Sequence, residues 1–170
     1  MKVQRKKHEL TIILTHENTD FDGLASLLGA AKVYPDAIPV LPRRPNRNLR
    51  HFLTLYCDEL PFVSPDDLPR ARIAQVILVD TQSLPTIKGM DEHTQVRIID
   101  HHPLDRELSP RMSYQGELLG ATTTLFVEEM ARQHISLSPV EATLLLLGIY
   151  EDTGSLTYAT TTPRDVRAAA

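Results

Sequence analysis

Short apolar runs alternate with helical patterns along this chain, and no other feature constrains its fold as strongly. Four runs rich in Ile, Val and Leu predict buried strands at 10–15, 38–41, 75–80 and 96–100. Apolar residues at helical spacing predict helices at 22–34, 46–57, 122–133 and 139–150. We therefore expect a doubly wound α/β domain, with a mainly parallel sheet and helices on both of its faces.

Composition excludes several classes of protein. The chain has 170 residues, 42% apolar and 24% charged, as expected of one globular domain. A formal net charge of −4 argues against a protein that coats nucleic acid, although a local phosphate-binding groove is compatible with it. One cysteine excludes an intramolecular disulfide and a cysteine-rich zinc site. No apolar run is long enough to span a membrane, so we expect a cytoplasmic protein without a membrane partner; homo-oligomer formation is left open.

Four clusters of potential metal ligands lie where predicted elements end. They are His16 with Asp20 and Asp22 after the first strand, Asp80 ending the third, Asp100 with His101 and His102 ending the fourth, and Asp152 after the helix at 139–150. Because the carboxyl ends of parallel strands meet at one edge of a sheet, these side chains should converge. Carboxylates would repel one another there, whereas two divalent cations sharing a carboxylate would hold them together. Two such ions, about 3.5–4 Å apart, can clamp a phosphate for in-line attack.

Each cluster alone has an ordinary explanation. Asp80 could be a turn residue, and adjacent histidines are usually exposed on the surface. Asp152, Thr153 and Gly154 could form a turn, and Asp20 could cap a helix. Only the combination, with each cluster after the appropriate element, indicates a catalytic metal site.

This sequence resembles the DHH phosphoesterase family in all four of its signature motifs. The matching segments are His16-x3-Asp20-x-Asp22, Asp80, Asp100-His101-His102 and Asp152-Thr153-Gly154. The family includes RecJ-type exonucleases, nanoRNases, cyclic-dinucleotide phosphodiesterases and family II inorganic pyrophosphatases. The resemblance implies two divalent cations, usually manganese, with magnesium or cobalt often accepted. Oxygen and nitrogen ligands without a thiolate suit manganese on physical grounds as well.

The resemblance also implies a role for each of these residues. Six of them would bind the cations: His16 and Asp20 one ion, Asp22, His101 and Asp152 the other, and Asp80 both. The remaining two, His102 and Asp100, would be the catalytic residues. His102 would face the substrate phosphate or the leaving group, and Asp100 would orient a ligand histidine through its other ring nitrogen.

Two further segments are candidates for substrate binding. Thr122 and Thr123 begin a predicted helix, whose free backbone N–H groups can receive a phosphate, although a plain helix cap explains them equally well. Arg47 and Arg50 belong to a basic stretch that fits either a nucleic-acid groove or a solvated loop.

The end of the sequence predicts a domain boundary. Thr162 and Pro163 fit the N-cap and the first position of a helix that would have barely two turns before Ala170. We expect an N-terminal tail at 1–9, the DHH metal-binding domain at 10–161, and the start of a truncated linker helix at 162–170. The second domain, which contacts the substrate in DHH enzymes, would then be absent from this chain.

A narrower resemblance concerns the stretches 34–37, 48–50, 148–157 and 161–165. They are similar to the N-terminal module of large bacterial proteins that also contain CBS domains and a tRNA nucleotidyltransferase or poly(A) polymerase-like domain. This implies a manganese-dependent phosphoesterase acting on nucleotide or RNA phosphate esters, with the C-terminal domains of a longer protein as partners. An inorganic pyrophosphatase and a non-catalytic nucleotide- or RNA-sensing module are the alternatives.

Overall fold

The computed structural model describes residues 9–170, so residues 1–8 of the expected N-terminal tail lie outside the described part. Within that part, an all-parallel sheet has the strand order β2-β1-β3-β4-β5. The strands are β1 (Leu10–Leu14), β2 (Ile38–Pro39), β3 (Ile73–Val79), β4 (Gln95–Ile99) and β5 (Met112–Gln115). The α/β class and the parallel sheet are confirmed, and the four predicted strands agree with β1 to β4 within two residues at each end. The sequence does not predict β5, because this short edge strand is half exposed and has no apolar run.

Helices connect or follow these strands: α1 (Phe21–Val33), α2 (Arg47–Tyr56), α3 (Thr122–Arg132), α4 (Pro139–Asp152) and α5 (Pro163–Ala169). Most begin at a side chain that accepts a hydrogen bond from the first turn, such as Asp20 for α1, Ser138 for α4 and Thr162 for α5. The helix predicted to start at Thr162 is therefore present. Helix α3 begins after Ala121, which has no capping side chain. No helix in residues 9–170 is long and apolar enough to cross a membrane.

The two faces of the sheet are covered differently. On one face, Ile13 and its neighbours pack in a common core with α1, α2, α3 and α4. On the other face, Ile12 and its neighbours pack against connecting segments, with Leu84 and Ile87 between β3 and β4, and Leu108 between β4 and β5. Prolines interrupt both connections and disfavour helices there. The helices therefore cover one face of the described sheet, and non-helical connections cover the face where helices were also expected.

The strand order reverses between β1 and β3. Strand β2 lies on the outer side of β1, whereas β4 and β5 follow on the outer side of β3. In open α/β sheets, ligands bind at such a point, outside the carboxyl ends of the strands. The connections that leave β1, β3 and β4 carry the first three predicted ligand clusters, so the topology brings these clusters to one place.

Candidate metal centre

All six predicted metal ligands lie together at the carboxyl edge of the sheet. They form two groups, each with ligand atoms within 4.8 Å of one another: His16, Asp20 and Asp80 in one, and Asp22, His101 and Asp152 in the other. The groups have the composition expected for two cation sites, and Asp80 also lies within the same distance of His101, in a further group with Asp100 and His102. Ends of β1, β3, β4 and α4 and the start of α1 supply them.

Asp80 lies between the two groups. Its Oδ2 is 3.6 Å from Nε2 of His16, and its Oδ1 is 3.9 Å from Nε2 of His101. The residue is buried, and its backbone has a left-handed φ of 55°, which is unfavourable for a residue other than glycine. Such strain persists where the surrounding structure imposes it, commonly at functional sites. Here the N–H of Asp80 donates to the carbonyl oxygen of Ile99 on β4, at 3.0 Å.

Asp22 supplies the cap that α3 lacks. Its Oδ2 accepts a hydrogen bond from the backbone N–H of Thr122 at 2.8 Å, and its Oδ1 accepts one from the N–H of Thr123 at 2.9 Å. The carboxylate is fully buried, and the positive end of the α3 dipole favours its negative charge. These bonds occupy the N–H groups that were expected to receive a substrate phosphate. Thr122 and Thr123 are themselves fully buried, so they hold a ligand side chain and do not face an open cleft.

His101 is fixed through Nδ1, and its Nε2 is free. Nδ1 lies 2.9 Å from the carbonyl oxygen of Leu119, and because a carbonyl oxygen only accepts, Nδ1 is the donor. Nε2 is buried without a hydrogen-bond partner among the described residues, although Oδ2 of Asp152 lies 3.2 Å away. Outer hydrogen bonds of this kind orient histidine ligands at metal sites.

The hydroxyl of Thr122 connects the two ligand groups. Its Oγ1 accepts a hydrogen bond from the backbone N–H of His101 at 3.1 Å and donates to Oδ1 of Asp80 at 2.9 Å. Thr122 therefore contacts three predicted ligands, through its hydroxyl and its backbone N–H. The sequence marks Thr122 as the start of a helix and a candidate phosphate contact; its bonds to the predicted ligands could not be foreseen, because they depend on tertiary structure.

Asp100 orients His102, where a ligand histidine was expected as its partner. Oδ1 of Asp100 accepts hydrogen bonds from Nδ1 of His102 at 2.9 Å and from the backbone N–H of His102 at 3.2 Å. The chain bends at His101 and His102, and an aspartate side chain commonly accepts a bond from the backbone N–H two residues farther along in such a turn. Asp100 is buried, whereas 61% of the His102 side chain is exposed. Nε2 of His102 is thus the ring nitrogen left for a substrate.

The electrostatics of the cluster favour bound positive charge. Hydrogen bonds to Asp20 and Asp80 raise the pKa of His16 to about 10, against the opposing effect of burial. Burial also lowers the pKa of His101, but contacts with Asp152 and the Leu119 carbonyl outweigh it and raise the pKa to about 9. Burial raises the pKa of Asp80 and, more strongly, that of Asp22, which Asp80 also repels. Protons relieve the repulsion among these carboxylates, and divalent cations would compete for the same positions.

Two glycines permit the close packing around the ligands. A Cβ atom on Gly23 would lie 3.0 Å from Nε2 of His16, so this glycine leaves space for the histidine against α1. A Cβ atom on Gly148 would lie 2.6 Å from Cβ of Ala25, at the contact between α4 and α1. This contact brings the last turn of α4, which carries Asp152, to the cluster. Neither glycine was predicted as a site residue, because each acts through the space it leaves.

Two arginines were predicted to bind the substrate, and both lie outside the two ligand groups. Arg47 and Arg50 are exposed on α2. The helix begins beside the first motif, since the N–H of Asn46 donates to the carbonyl oxygen of Thr19 at 3.0 Å. A role for both arginines in substrate binding stays a prediction.

Residues 10–149 match the model of the DHH family, N-terminal domain. The chain belongs to the DHH family. This family assignment agrees with the resemblance that the four motifs indicate, and it identifies the chain as a DHH phosphoesterase domain with a candidate Asp and His metal site.

The chain is similar to nucleotidyltransferases and to pyrophosphatases. The chain is 38% identical over 169 residues to an A-adding tRNA nucleotidyltransferase of Geobacter sulfurreducens, matching 94% of this chain and 19% of that protein. It is 25% identical to a probable manganese-dependent inorganic pyrophosphatase of Listeria welshimeri, over 94% of this chain and 53% of that protein. The fold also resembles a crystal structure of a candidate family II inorganic pyrophosphatase from Methanococcus jannaschii, with a TM-score of 0.71 and 26% sequence identity. The superposition covers 94% of this chain and 54% of the pyrophosphatase chain. The chain thus spans about a fifth of the nucleotidyltransferase and about half of each pyrophosphatase.

The donor atoms of this DHH domain fit divalent cations. Each of the two groups combines carboxylate oxygens with an imidazole nitrogen, a set that suits manganese and excludes a thiolate-dependent site. Nε2 of His101 is buried in the cluster and lies 3.2 Å from Oδ2 of Asp152, so a ring nitrogen and a carboxylate oxygen face one position that a proton or a divalent cation can occupy.

Proposed function

We propose that this chain is a two-metal phosphoesterase domain that hydrolyses nucleotide or RNA phosphate esters within a larger RNA-processing protein. The observation that carries the proposal is Asp80, whose two oxygens face the two ligand groups. A shared carboxylate of this kind is what a pair of closely spaced cations requires. The similarity to A-adding tRNA nucleotidyltransferases supports an RNA-related substrate and the presence of further domains.

The first cation would be held by His16, Asp20 and Asp80, and the second by Asp22, His101, Asp152 and Asp80. Manganese is supported by the donor set and by the manganese dependence that the names of the pyrophosphatase relatives state. Bound there, the two cations would supply Lewis acidity toward the phosphate and an activated water.

The protein side chains supply orientation and a proton. Asp100, fixed by Nε2 of Gln82 at 3.2 Å, accepts from Nδ1 of His102 and so holds the imidazole in one orientation. The exposed Nε2 of His102 can then donate a proton to the leaving oxygen of the ester. The hydroxyl of Thr122 bonds both Asp80 and the backbone N–H of His101, and so holds these two residues in a fixed relative position while the substrate binds.

Hydrolysis of inorganic pyrophosphate is a second candidate function, supported by the pyrophosphatase relatives and by the TM-score of 0.71. Both reactions use the same two cations and differ in the leaving group. A third possibility, a module that binds nucleotides without cleaving them, is less well supported, because every predicted ligand is retained and oriented.

The experiment compares substrates on the purified chain with manganese. A short 5′-labelled oligoribonucleotide, a linear dinucleotide and inorganic pyrophosphate are offered at equal concentration, with Asp80→Asn as the inactive control. We expect manganese-dependent release of mononucleotides that the control variant loses. Faster hydrolysis of pyrophosphate would establish the second candidate instead, and two bound manganese ions without any hydrolysis would favour the binding module.

A further inference from the structure

A buried carboxylate lies outside the ligand cluster and close to it. Asp165 on α5 is fully buried. Its Oδ2 accepts hydrogen bonds from the backbone N–H of Gly120 at 2.9 Å and of Thr162 at 2.7 Å, and its Oδ1 accepts one from Oγ1 of Thr124 at 2.6 Å. Burial alone would raise the pKa of Asp165, but these bonds outweigh it and lower the pKa.

The N–H of Gly120 belongs to the same peptide unit as the carbonyl group of Leu119. That carbonyl oxygen accepts from Nδ1 of His101 at 2.9 Å. A peptide unit is planar, so whatever fixes its N–H also fixes the direction of its C=O. Asp165 and His101 therefore bind opposite ends of one rigid group, although they are 64 residues apart in the sequence.

The charge of Asp165 has an electronic effect as well as a steric one. A carboxylate that accepts from the N–H of a peptide polarises it and strengthens its carbonyl oxygen as an acceptor. The space around this peptide is also fixed, because a Cβ on Gly120 would lie 2.6 Å from Cγ2 of Thr153 and 2.8 Å from Oδ2 of Asp165. The peptide can neither rotate freely nor lose its partner without moving the carbonyl of Leu119.

We propose that Asp165 is a positioning residue for the metal ligand His101, acting through the peptide that joins Leu119 and Gly120. It keeps Nδ1 of His101 donating to this peptide and Nε2 directed at the second cation site. This proposal rests on the proposed function for its metal, but the orientation of His101 exists without metal and is measured separately.

A purely structural role is the competing explanation, since Asp165 also joins α5 to α3. Thr162→Val is the matched control. Thr162 caps α5 and contacts the same Oδ2 through its hydroxyl, yet it has no contact with the peptide of Gly120. Both Asp165→Ala and Thr162→Val should destabilise the α5 contact, whereas only Asp165→Ala should affect His101.

Two measurements test the proposal. In the metal-free protein, nitrogen-15 NMR follows the exchange-protected Nδ1–H signal of His101; it should be lost in Asp165→Ala and retained in Thr162→Val. Manganese titration calorimetry should then show one of two ions bound about 10–100-fold more weakly in Asp165→Ala, with the other ion and the control unchanged. Asp165→Asn keeps an oxygen for the N–H of Gly120 without the charge, so it should fold, shift the same signal upfield and weaken one ion by less than Asp165→Ala.

The results that would overturn the proposal are specific. An unchanged His101 signal in Asp165→Ala, or in Asp165→Asn if the alanine variant does not fold, would leave Asp165 with a structural role alone. Equal weakening of both ions in Asp165→Ala and Thr162→Val would have the same meaning. If the wild-type chain bound no manganese while the NMR signal still depended on Asp165, the proposed function would fail and the positioning role would stand.

Discussion

Replacing Asp80 by asparagine is the most direct perturbation of the centre. Asparagine has the same shape and tolerates the left-handed φ of 55° better than alanine would, so backbone strain does not confuse the result. It also keeps one oxygen able to accept from Thr122. What it removes is the negative charge and one of the two oxygens that face the ligand groups.

The magnitude follows from linkage. Outer residues of metal sites typically contribute about 10–100-fold to metal affinity, so a carboxylate that contacts both ions should contribute at least about 100-fold. At a manganese concentration about 100 times the wild-type Kd, the metal stabilises the folded chain by about 2.7 kcal/mol, most of which the variant should lose. For a domain of this size, that corresponds to a decrease of about 5–10 °C in the metal-induced rise in Tm.

Differential scanning calorimetry with and without manganese measures this effect, and Asp36→Asn, an exposed aspartate outside both groups, is the control. Without metal, Asp80→Asn changes two opposing contributions, because burial disfavours the charge of Asp80 whereas that charge favours protonated His16; the metal-free Tm of each protein is therefore its own baseline. An unchanged manganese-induced rise in Tm, with two ions still bound, would refute the assignment of Asp80 to both sites.

Two further predictions concern the histidines. His101→Ala should weaken manganese binding at one site. His102→Ala should keep both ions and lower kcat by about 100–1,000-fold, because it removes a donor near the charge that develops in the transition state. Loss of metal in His102→Ala but not in His101→Ala would reverse the two assigned roles. The raised pKa values of His16 (about 10) and His101 (about 9) predict that the contribution of these two histidines to metal-free stability is complete below pH 6.5 and is lost as the pH rises through 9 to 10. Thermal unfolding between pH 6.5 and 10.5 tests this, and a flat profile would contradict the inferred proton binding.

The fold was predictable where the local pattern is strong. Apolar runs of Ile, Val and Leu fix β1, β3 and β4, and the caps at Asp20 and Thr162 fix the starts of α1 and α5. β5 was missed because its Met112 and Tyr114 alternate with exposed residues, a pattern too short to separate from a loop. The helices expected on the second face are absent from the described chain because prolines interrupt the connections there.

The convergence of the predicted ligands could be foreseen because parallel strands bring their carboxyl ends together; that these residues bind metal stays a prediction. What orients those ligands could not be foreseen. The pairing of Asp100 with His102 depends on a bend after β4, and the capping of α3 by Asp22 joins residues 100 positions apart. The Leu119 carbonyl has no side-chain identity that a sequence could reveal, and Gly148 matters only for the space it leaves.

The second face of the sheet has a consequence for how such domains diversify. The connection from β3 to β4 begins at Asp80, and the connection from β4 to β5 begins at Asp100. Each therefore has predicted site residues at its start and core-covering residues, such as Leu84 and Leu108, farther along. Neither connection contains a helix, so no helical repeat constrains its length, and lengthening a flexible loop adds only a small entropic term. Insertions beyond the first few residues of these connections can therefore reshape the approach to the metal centre, while the strands and α1, α3 and α4 hold the ligands unchanged.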